Sequence, residues 1–195
     1  MKRLILVTSP PASGKTYISK QLAKQLKHVV YLDKDTLIVL SNQIFKVVGQ
    51  ELNRSSDFFE ENIRNFEYQA TLDLAMEALN YDDIVLINAP FTREIRDEAY
   101  INDLKHRLVQ KDTRLTVVWV ITDVEVTRQR MVDRNSSRDT WKLANWEAYV
   151  TDVDFDIPKS IDDPKVVDDL LLFYNSNEVE YEASMTRILE VLEEK

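Results

Sequence analysis

The sequence predicts an α/β fold, in which a parallel β-sheet carries helices on both faces. Five short apolar runs, typical of buried strands, follow one another along the 195 residues. Segments with helical spacing of apolar residues lie between them, and strands that alternate with helices indicate a parallel sheet. The length is that of one domain, so we expect a single domain over residues 1–195.

The first strand is predicted at residues 4–7, and it leads into Ser-Pro-Pro-Ala-Ser-Gly-Lys-Thr at residues 9–16, the P-loop. Apolar residues then recur every fourth position, which predicts a helix over residues 15–26. Between a strand and a helix, this motif holds phosphate groups, because backbone N–H groups and the helix dipole attract an anion. In the motif, Lys15 reaches the terminal phosphates and the Thr16 hydroxyl binds Mg²⁺. An ordinary strand-to-helix turn is the alternative interpretation.

The second strand is predicted at residues 29–32, and Asp33 and Asp35 follow it directly. Carboxylates at this end of a parallel strand lie where α/β sheets bind ligands. Asp35 is therefore either a catalytic carboxylate or the N-cap of the next helix. That helix, at residues 36–50, is apolar enough to be largely buried and ends near Gly49.

A further helix is predicted to open at Asp57, because Glu60 three residues later completes a capping box. The helix should continue to Leu79, with these residues on one apolar face: Phe59, Ile63, Phe66 and Ala70. The third strand, at residues 84–87, ends at Asn88. Nucleotide-binding proteins with this loop often carry an acidic Walker B residue at that strand end, and asparagine adds no negative charge there. Thr92, Arg93 and Arg96 then either contact a ligand or form a solvated helical turn.

The fourth strand is predicted at residues 115–121, and an arginine-rich segment follows it. Arg130, Arg134 and Arg138 are four residues apart, so they share one face if the helix reaches residue 138. An anion bound between them would remove their mutual repulsion, whereas a solvated basic face is the alternative. A loop rich in aspartate should cover residues 152–169. The fifth strand follows at 170–174, and Asn175 to Asn177 should cap the last helix.

Composition excludes several classes of protein. The net charge of −9 and a pI near 4.8 argue against a nucleic-acid binder, including a kinase of nucleic-acid ends. The absence of cysteine excludes disulfides, and two histidines cannot make a histidine-rich metal site. With no apolar run near the length of a membrane span, we expect a cytoplasmic protein without membrane contact.

These motifs together resemble the small P-loop kinases, in particular the AAA-domain and zeta-toxin-like group related to gluconate, shikimate and chloramphenicol kinases. The resemblance covers nearly the whole chain and implies a three-layer P-loop NTPase fold with the strand order 2-3-1-4-5. It also implies an arginine-rich lid at about residues 128–145 and a substrate-side helical insert at about 37–80.

The resemblance also implies the site residues. Backbone amides from Ala12, Ser13 and Gly14 through Lys15 to Thr16 would bind the phosphates of ATP, together with Arg130 and Arg138. Thr16 would bind Mg²⁺, and because Asn88 adds no charge, the ion would also rely on the phosphates and on Asp33, with Asp35 as the alternative carboxylate. The catalytic residues would be Lys15, Asp35 as the base for the substrate hydroxyl, and the lid residues Arg130 and Arg134.

Two functions stay open at this point. One is transfer of the γ-phosphoryl group of ATP to a hydroxyl of a small molecule. The other is a nucleotide-binding module or weak ATPase that acts as a switch, which Ser9 and Asn88 suggest because both depart from the motif. Neither the acceptor nor the oligomeric state can be read from the residues.

Overall fold

The computed structural model describes residues 2–136 and 139–193 and contains a five-stranded sheet with the order β2-β3-β1-β4-β5. All neighbouring strands are parallel. The predicted fold class and strand order are therefore confirmed, with the strand before the P-loop at the centre. The strands are β1 (Lys2–Thr8), β2 (Val29–Asp33), β3 (Ile84–Asn88), β4 (Thr113–Ile121) and β5 (Asp169–Tyr174).

Helices connect the strands and cover both faces of the sheet. Short 3-10 turns precede two of them, at Lys34–Leu37 and Glu94–Arg96, and a third, Lys159–Ile161, precedes β5. The helices are α1 (Lys15–Gln25), α2 (Ile38–Val48), α3 (Asp57–Phe59), α4 (Asn65–Ala78), α5 (Glu98–Val109), α6 (Val124–Arg134), α7 (Thr140–Ala144), α8 (Trp146–Asp152) and α9 (Glu178–Glu193), with a π-helical turn, Glu60–Arg64, between α3 and α4.

The central strand separates two hydrophobic cores because its successive side chains point to opposite faces. Ile5 and Val7 belong to one core, with buried residues of α1 and α9. Leu4 and Leu6 belong to the other, with buried residues of α4 and α5. Both cores are thereby tied to the strand that carries the P-loop, so this loop is anchored in the best-packed part of the molecule.

The expectation that residues 36–50 form a largely buried helix is wrong. In α2 the side chains of Phe45 and Ser41 are buried, whereas Val39 and Val47 are 71% and 73% exposed. The reason is that Phe45 packs in a small separate cluster with Phe59 and Ile63 rather than in either main core. The helix lies outside the sheet layers and leaves its apolar outer face uncovered in the described part of the chain.

The predicted start and face of the next helix also need correction. Ser56, not Asp57, caps α3, because its hydroxyl accepts a hydrogen bond from the Phe59 amide. The π-helical turn then holds more residues than an α-helical turn and shifts the buried face. Phe66 is therefore 64% exposed, and Glu67 and Tyr68 point inward instead.

The arginine-rich helix is shorter than its spacing suggested. Helix α6 ends at Arg134, because Asn135 adopts a left-handed conformation with φ 45°. Helix α6 therefore carries Arg130 and Arg134, and Arg138 lies outside the described residues. The aspartate-rich loop after α8 is also more than a solvated segment, since Ile161 and Val167 are buried in a main core. No helix in residues 2–136 or 139–193 is both long and apolar enough to cross a bilayer.

Candidate active site

The P-loop owes its shape to two residues in the left-handed backbone region. Gly14 has φ 91° and Ala12 has φ 63°. A non-glycine residue rarely adopts this conformation, and such strain is typical of functional loops. Ser9, which replaces the usual first glycine, does not have a positive φ and is 2% exposed. The backbone therefore needs no glycine at position 9, although Ser9 departs from the motif.

The carbonyl of Ser13 fixes the loop to the rest of the site. It accepts hydrogen bonds from Thr122 Oγ1 at 3.0 Å, from Asn175 Nδ2 at 2.7 Å and from a guanidinium nitrogen of Arg130 at 3.2 Å. A Cβ atom at Gly14 would lie 2.5 Å from Asn175 Nδ2. Glycine is thus required both for the backbone conformation and for the close approach of Asn175.

Asn88, at the end of β3, brings three of the predicted residues together. Its Oδ1 accepts a hydrogen bond from Lys15 Nζ at 2.7 Å. Its Nδ2 donates to Thr16 Oγ1 at 3.3 Å and to Asp33 Oδ2 at 3.0 Å. The central strands therefore place Lys15, Thr16 and Asp33 around one amide, at the sheet edge that the sequence predicted.

The oxygen atoms around Asn88 fit a magnesium ion that is completed by phosphates. Mg²⁺ in nucleotide sites is held by one or two carboxylates and by phosphate oxygens. Thr16 and Asp33 supply a hydroxyl and a carboxylate, and the Tyr31 hydroxyl orients the latter with a 3.0 Å hydrogen bond. Burial and the nearby Asp33 charge raise the pKa of Tyr31, so it stays a donor. Among the described residues, no cluster of three acidic or histidine side chains could hold a metal alone.

A cavity of about 710 Å³ opens beside the P-loop, which forms one of its walls. We name the part of its lining that residues 34–68 contribute the insert wall. It comprises Lys34, Asp35, Arg54, Phe59, Arg64, Glu67 and Tyr68. The predicted base Asp35 and the predicted phosphate residues thus face the same space.

The structure excludes the N-cap alternative for Asp35. Asp33, not Asp35, caps the 3-10 turn, because its Oδ1 accepts a hydrogen bond from the Asp35 amide at 3.0 Å. The next helix, α2, has no side-chain cap. The Asp35 side chain is 59% exposed and has Lys34 Nζ at 3.6 Å.

Glu67 is the centre of a buried polar network in the insert wall. It accepts hydrogen bonds from Lys34 Nζ at 2.8 Å and from both terminal nitrogens of Arg54 at 2.8 and 2.7 Å, as well as from the Ser41 hydroxyl. Burial alone would raise the pKa of Glu67, but these donors lower it to about 2. The carboxylate is therefore ionised, and its accepting capacity is used within the protein.

Replacement of Glu67 by glutamine should change how stability depends on acid. Because the pKa of Glu67 is lower in the folded protein than in the unfolded chain, its contribution is present above pH 4.5 and is lost as the pH falls toward 2. Between pH 6 and pH 3 the wild-type protein should lose about 2 kcal/mol of unfolding free energy that Glu67→Gln does not lose. Urea unfolding at both pH values tests this. Glu61→Gln, at an exposed position nearby, should keep the wild-type slope, and an equal slope in Glu67→Gln would contradict the assignment.

The lid arginines differ in their contacts. Arg130 donates one hydrogen bond to the Ser13 carbonyl of the P-loop and another, of 2.7 Å, to the carbonyl of Asn175 directly after β5. Arg134 instead makes a two-nitrogen contact with the fully buried Asp139, at 2.8 and 2.5 Å. Both arginines line the cavity together with Lys142. Of the residues after β3, Thr92 lines the cavity, Arg93 pairs with Glu60, and Arg96 binds the loop carbonyls of Asp154 and Asp156.

Sequence reasoning missed several residues of the site. Arg54, Arg64, Glu67 and Asn175 carry no motif, and Glu67 was hidden because the π-helical turn moved it to the buried face. A signal did exist for Glu67, since a charged residue on the apolar side of a helix needs partners to be stable there.

Similarity to known structures covers almost the whole chain. A candidate kinase from Chloroflexus aurantiacus is 17% identical, with a TM-score of 0.66 over 98% of this chain and 93% of that one. A protein of the PezAT chromosomal toxin–antitoxin system of Streptococcus pneumoniae is 12% identical, with a TM-score of 0.59 over 98% and 85%. Shikimate kinase from Bacteroides thetaiotaomicron is 14% identical, with a TM-score of 0.52 over 99% of each chain. At these identities the likeness concerns the fold.

Sequence comparison gives the family. Among curated proteins no match was found. The model of the AAA domain family, in contrast, matches residues 4–154, which include the P-loop, Asn88 and the arginine-rich segment. This match covers well over half of the chain and every strand of the sheet except the last. The chain belongs to the AAA domain family.

Proposed function

We propose that the protein transfers the γ-phosphoryl group of ATP to a hydroxyl group of a small molecule. The observation that carries the proposal is the shared cavity, which is lined by both the P-loop and Asp35. A phosphate donor and an alcohol bound to these walls would meet between them. Phosphoryl transfer needs chiefly such positioning, together with positive charge around the transferred group.

On the donor side, the amides of Ala12 to Thr16 would hold the phosphates, with Lys15 at the terminal ones. Thr16 and Asp33 would hold Mg²⁺, which when bound neutralises phosphate charge. Arg130 already contacts the P-loop backbone and would extend toward the nucleotide. Arg134 and Arg138 would add positive charge from the lid at residues 128–145, which would also exclude water.

On the acceptor side, Asp35 would accept a hydrogen bond from the substrate hydroxyl and then its proton. The helical insert at residues 37–80 would select the acceptor, since it supplies most of the insert wall. The single-domain arrangement with a lid and an insert stays part of this proposal.

A panel of alcohols tests the proposal. ADP release is measured with ATP and Mg²⁺, first without acceptor and then with sugars, sugar acids, amino alcohols and nucleosides. We expect at least one class to raise ADP release above the rate of ATP hydrolysis in water, with the phosphorylated product found by mass spectrometry. ATP binding without transfer to any acceptor would contradict the proposal.

A nucleotide-dependent switch is the second candidate, and Asn88 favours it. Most nucleotide hydrolases and kinases of this type place a carboxylate where Asn88 lies, and its amide binds Lys15 and Thr16 without adding charge. Tight binding of ATP in calorimetry, combined with turnover that no acceptor accelerates, would support the switch over the kinase.

A further inference from the structure

We infer that the acceptor carries an anionic group, a carboxylate or a phosphate, and that Arg54 binds it. This inference rests on the proposed function, since it names the class of molecule that the insert wall selects. It starts from the charges in the cavity. Although the chain has a net charge of −9, the described residues that line the cavity include seven lysines and arginines but two carboxylates.

The P-loop and the lid account for four of these cations, and three remain on the insert wall: Lys34, Arg54 and Arg64. The side chains of Lys34 and Arg64 are 6% and 12% exposed, and each is bound to a buried carboxylate. Arg54 is 31% exposed. It is therefore the cation of the insert wall that offers most surface to a molecule in the cavity.

The guanidinium of Arg54 is held in a fixed orientation. One edge forms the two-nitrogen contact with Glu67, and the group lies over the Phe59 ring, 4.4 Å from its centroid. A guanidinium has five N–H groups, and this contact uses two of them. The remaining donors are preorganised for a planar or tetrahedral anion, which lowers the entropy lost when one binds.

Glu67 cannot serve the acceptor itself. Its side chain is 3% exposed and its oxygens accept hydrogen bonds from Lys34, Ser41 and Arg54. A molecule at this wall therefore meets unused donors on Arg54 and one exposed carboxylate, Asp35. Lys34 links Asp35 to Glu67, the partner of Arg54, because Lys34 Nζ lies 2.8 Å from the Glu67 carboxylate and 3.6 Å from the Asp35 carboxylate. An alcohol with an anionic group at its other end matches this arrangement.

A matched set of small alcohols tests the inference. Glycerol carries no charge, glycerate adds a carboxylate, and glycerol 3-phosphate adds a phosphate. We expect one anionic member to have a KM for ADP release at least tenfold lower than that of glycerol. Arg54→Gln should raise that KM about 10- to 100-fold while kcat changes much less, because a charge-assisted contact to the ground state is lost.

Two further variants keep the test informative. Arg54→Lys preserves the charge without the forked geometry and should recover part of the affinity. Lys46→Gln, at an exposed position of α2 outside the cavity, should behave as wild type. If glycerol is used as well as the anionic alcohols, and Arg54→Gln affects all three equally, the inference is wrong although the kinase proposal stands.

Binding measurements distinguish a failure of catalysis from the absence of an anion subsite. If none of the three alcohols is phosphorylated, calorimetry with the nucleotide site filled by a non-hydrolysable ATP analogue measures binding of glycerol, glycerate and glycerol 3-phosphate. Binding that Arg54→Gln weakens at least tenfold supports the anion subsite even without transfer. Equal or absent binding of all three alcohols in the wild-type protein overturns it.

Discussion

Replacement of Lys15 by alanine is expected to lower ATP turnover by at least about 10²–10³-fold, the loss typical of a preorganised charge on the transferred group. Lys15 begins α1, and Asn88 holds its ammonium group at 2.7 Å, next to the end of β3. The shortened side chain leaves the phosphates without this charge. Arg130 and Lys142 cannot replace it, because they belong to α6 and α7 and not to the P-loop. ATP hydrolysis in water gives the rate without any knowledge of the acceptor.

A matched control is available on the same helix. Lys20 is exposed and lies outside the cavity lining, so Lys20→Ala should keep the wild-type rate. Circular dichroism of both variants shows whether the helix is retained. A Lys15→Ala protein that hydrolyses ATP as fast as Lys20→Ala would remove the P-loop lysine from the mechanism.

Replacement of Asp35 by asparagine should lower phosphoryl transfer by about 10²–10⁴-fold, the range for loss of a general base. The expected pattern is specific, because the ion-pair partner of Asp35 is Lys34 of the insert wall, not a residue of the P-loop. Affinity for ATP should therefore change little, and the loss should fall on kcat for the acceptor identified in the alcohol panel.

Asp57→Asn is the control for this variant. Asp57 is exposed, belongs to the helical insert that follows Asp35 and is not among the residues that line the cavity. It should transfer phosphate at the wild-type rate. Undiminished transfer by Asp35→Asn would show that the hydroxyl proton leaves by another route, and weakened ATP binding in that variant would point to a role at the nucleotide instead.

The fold could be predicted from sequence because its signals are local. Each buried strand is a short apolar run, and the Gly-Lys-Thr sequence fixes where the first strand ends and the first helix begins. Asp33, Asn88 and Thr16 meet because parallel strands bring their carboxyl ends to one edge of the sheet. The order of strands and the Gly-Lys-Thr sequence therefore sufficed to predict that Thr16, Asp33 and Asn88 lie at one edge of the sheet.

The acceptor side could not be predicted because it depends on tertiary contacts. The prediction from hydrophobic spacing assumed 3.6 residues per turn throughout. The π-helical turn at Glu60–Arg64 departs from that value, so that Phe66 is exposed and Glu67 is buried. Nothing near Arg54 in the sequence indicates that it meets Glu67, thirteen residues later, across the cavity wall. The spacing of the arginines gave no sign of where their helix ends. The left-handed conformation of Asn135 ends α6 at Arg134.

Thermal unfolding with and without MgATP tests the central claim, namely that residues 9–16 bind a nucleoside triphosphate. At an ATP concentration 100 times the Kd, binding adds about 2.7 kcal/mol to stability. For a chain of this length, that corresponds to a rise in Tm of roughly 5–10 °C. The account predicts such a rise for the wild-type protein and for Lys20→Ala, and a much smaller one for Lys15→Ala. An unchanged Tm of the wild-type protein in saturating ATP or GTP would contradict it.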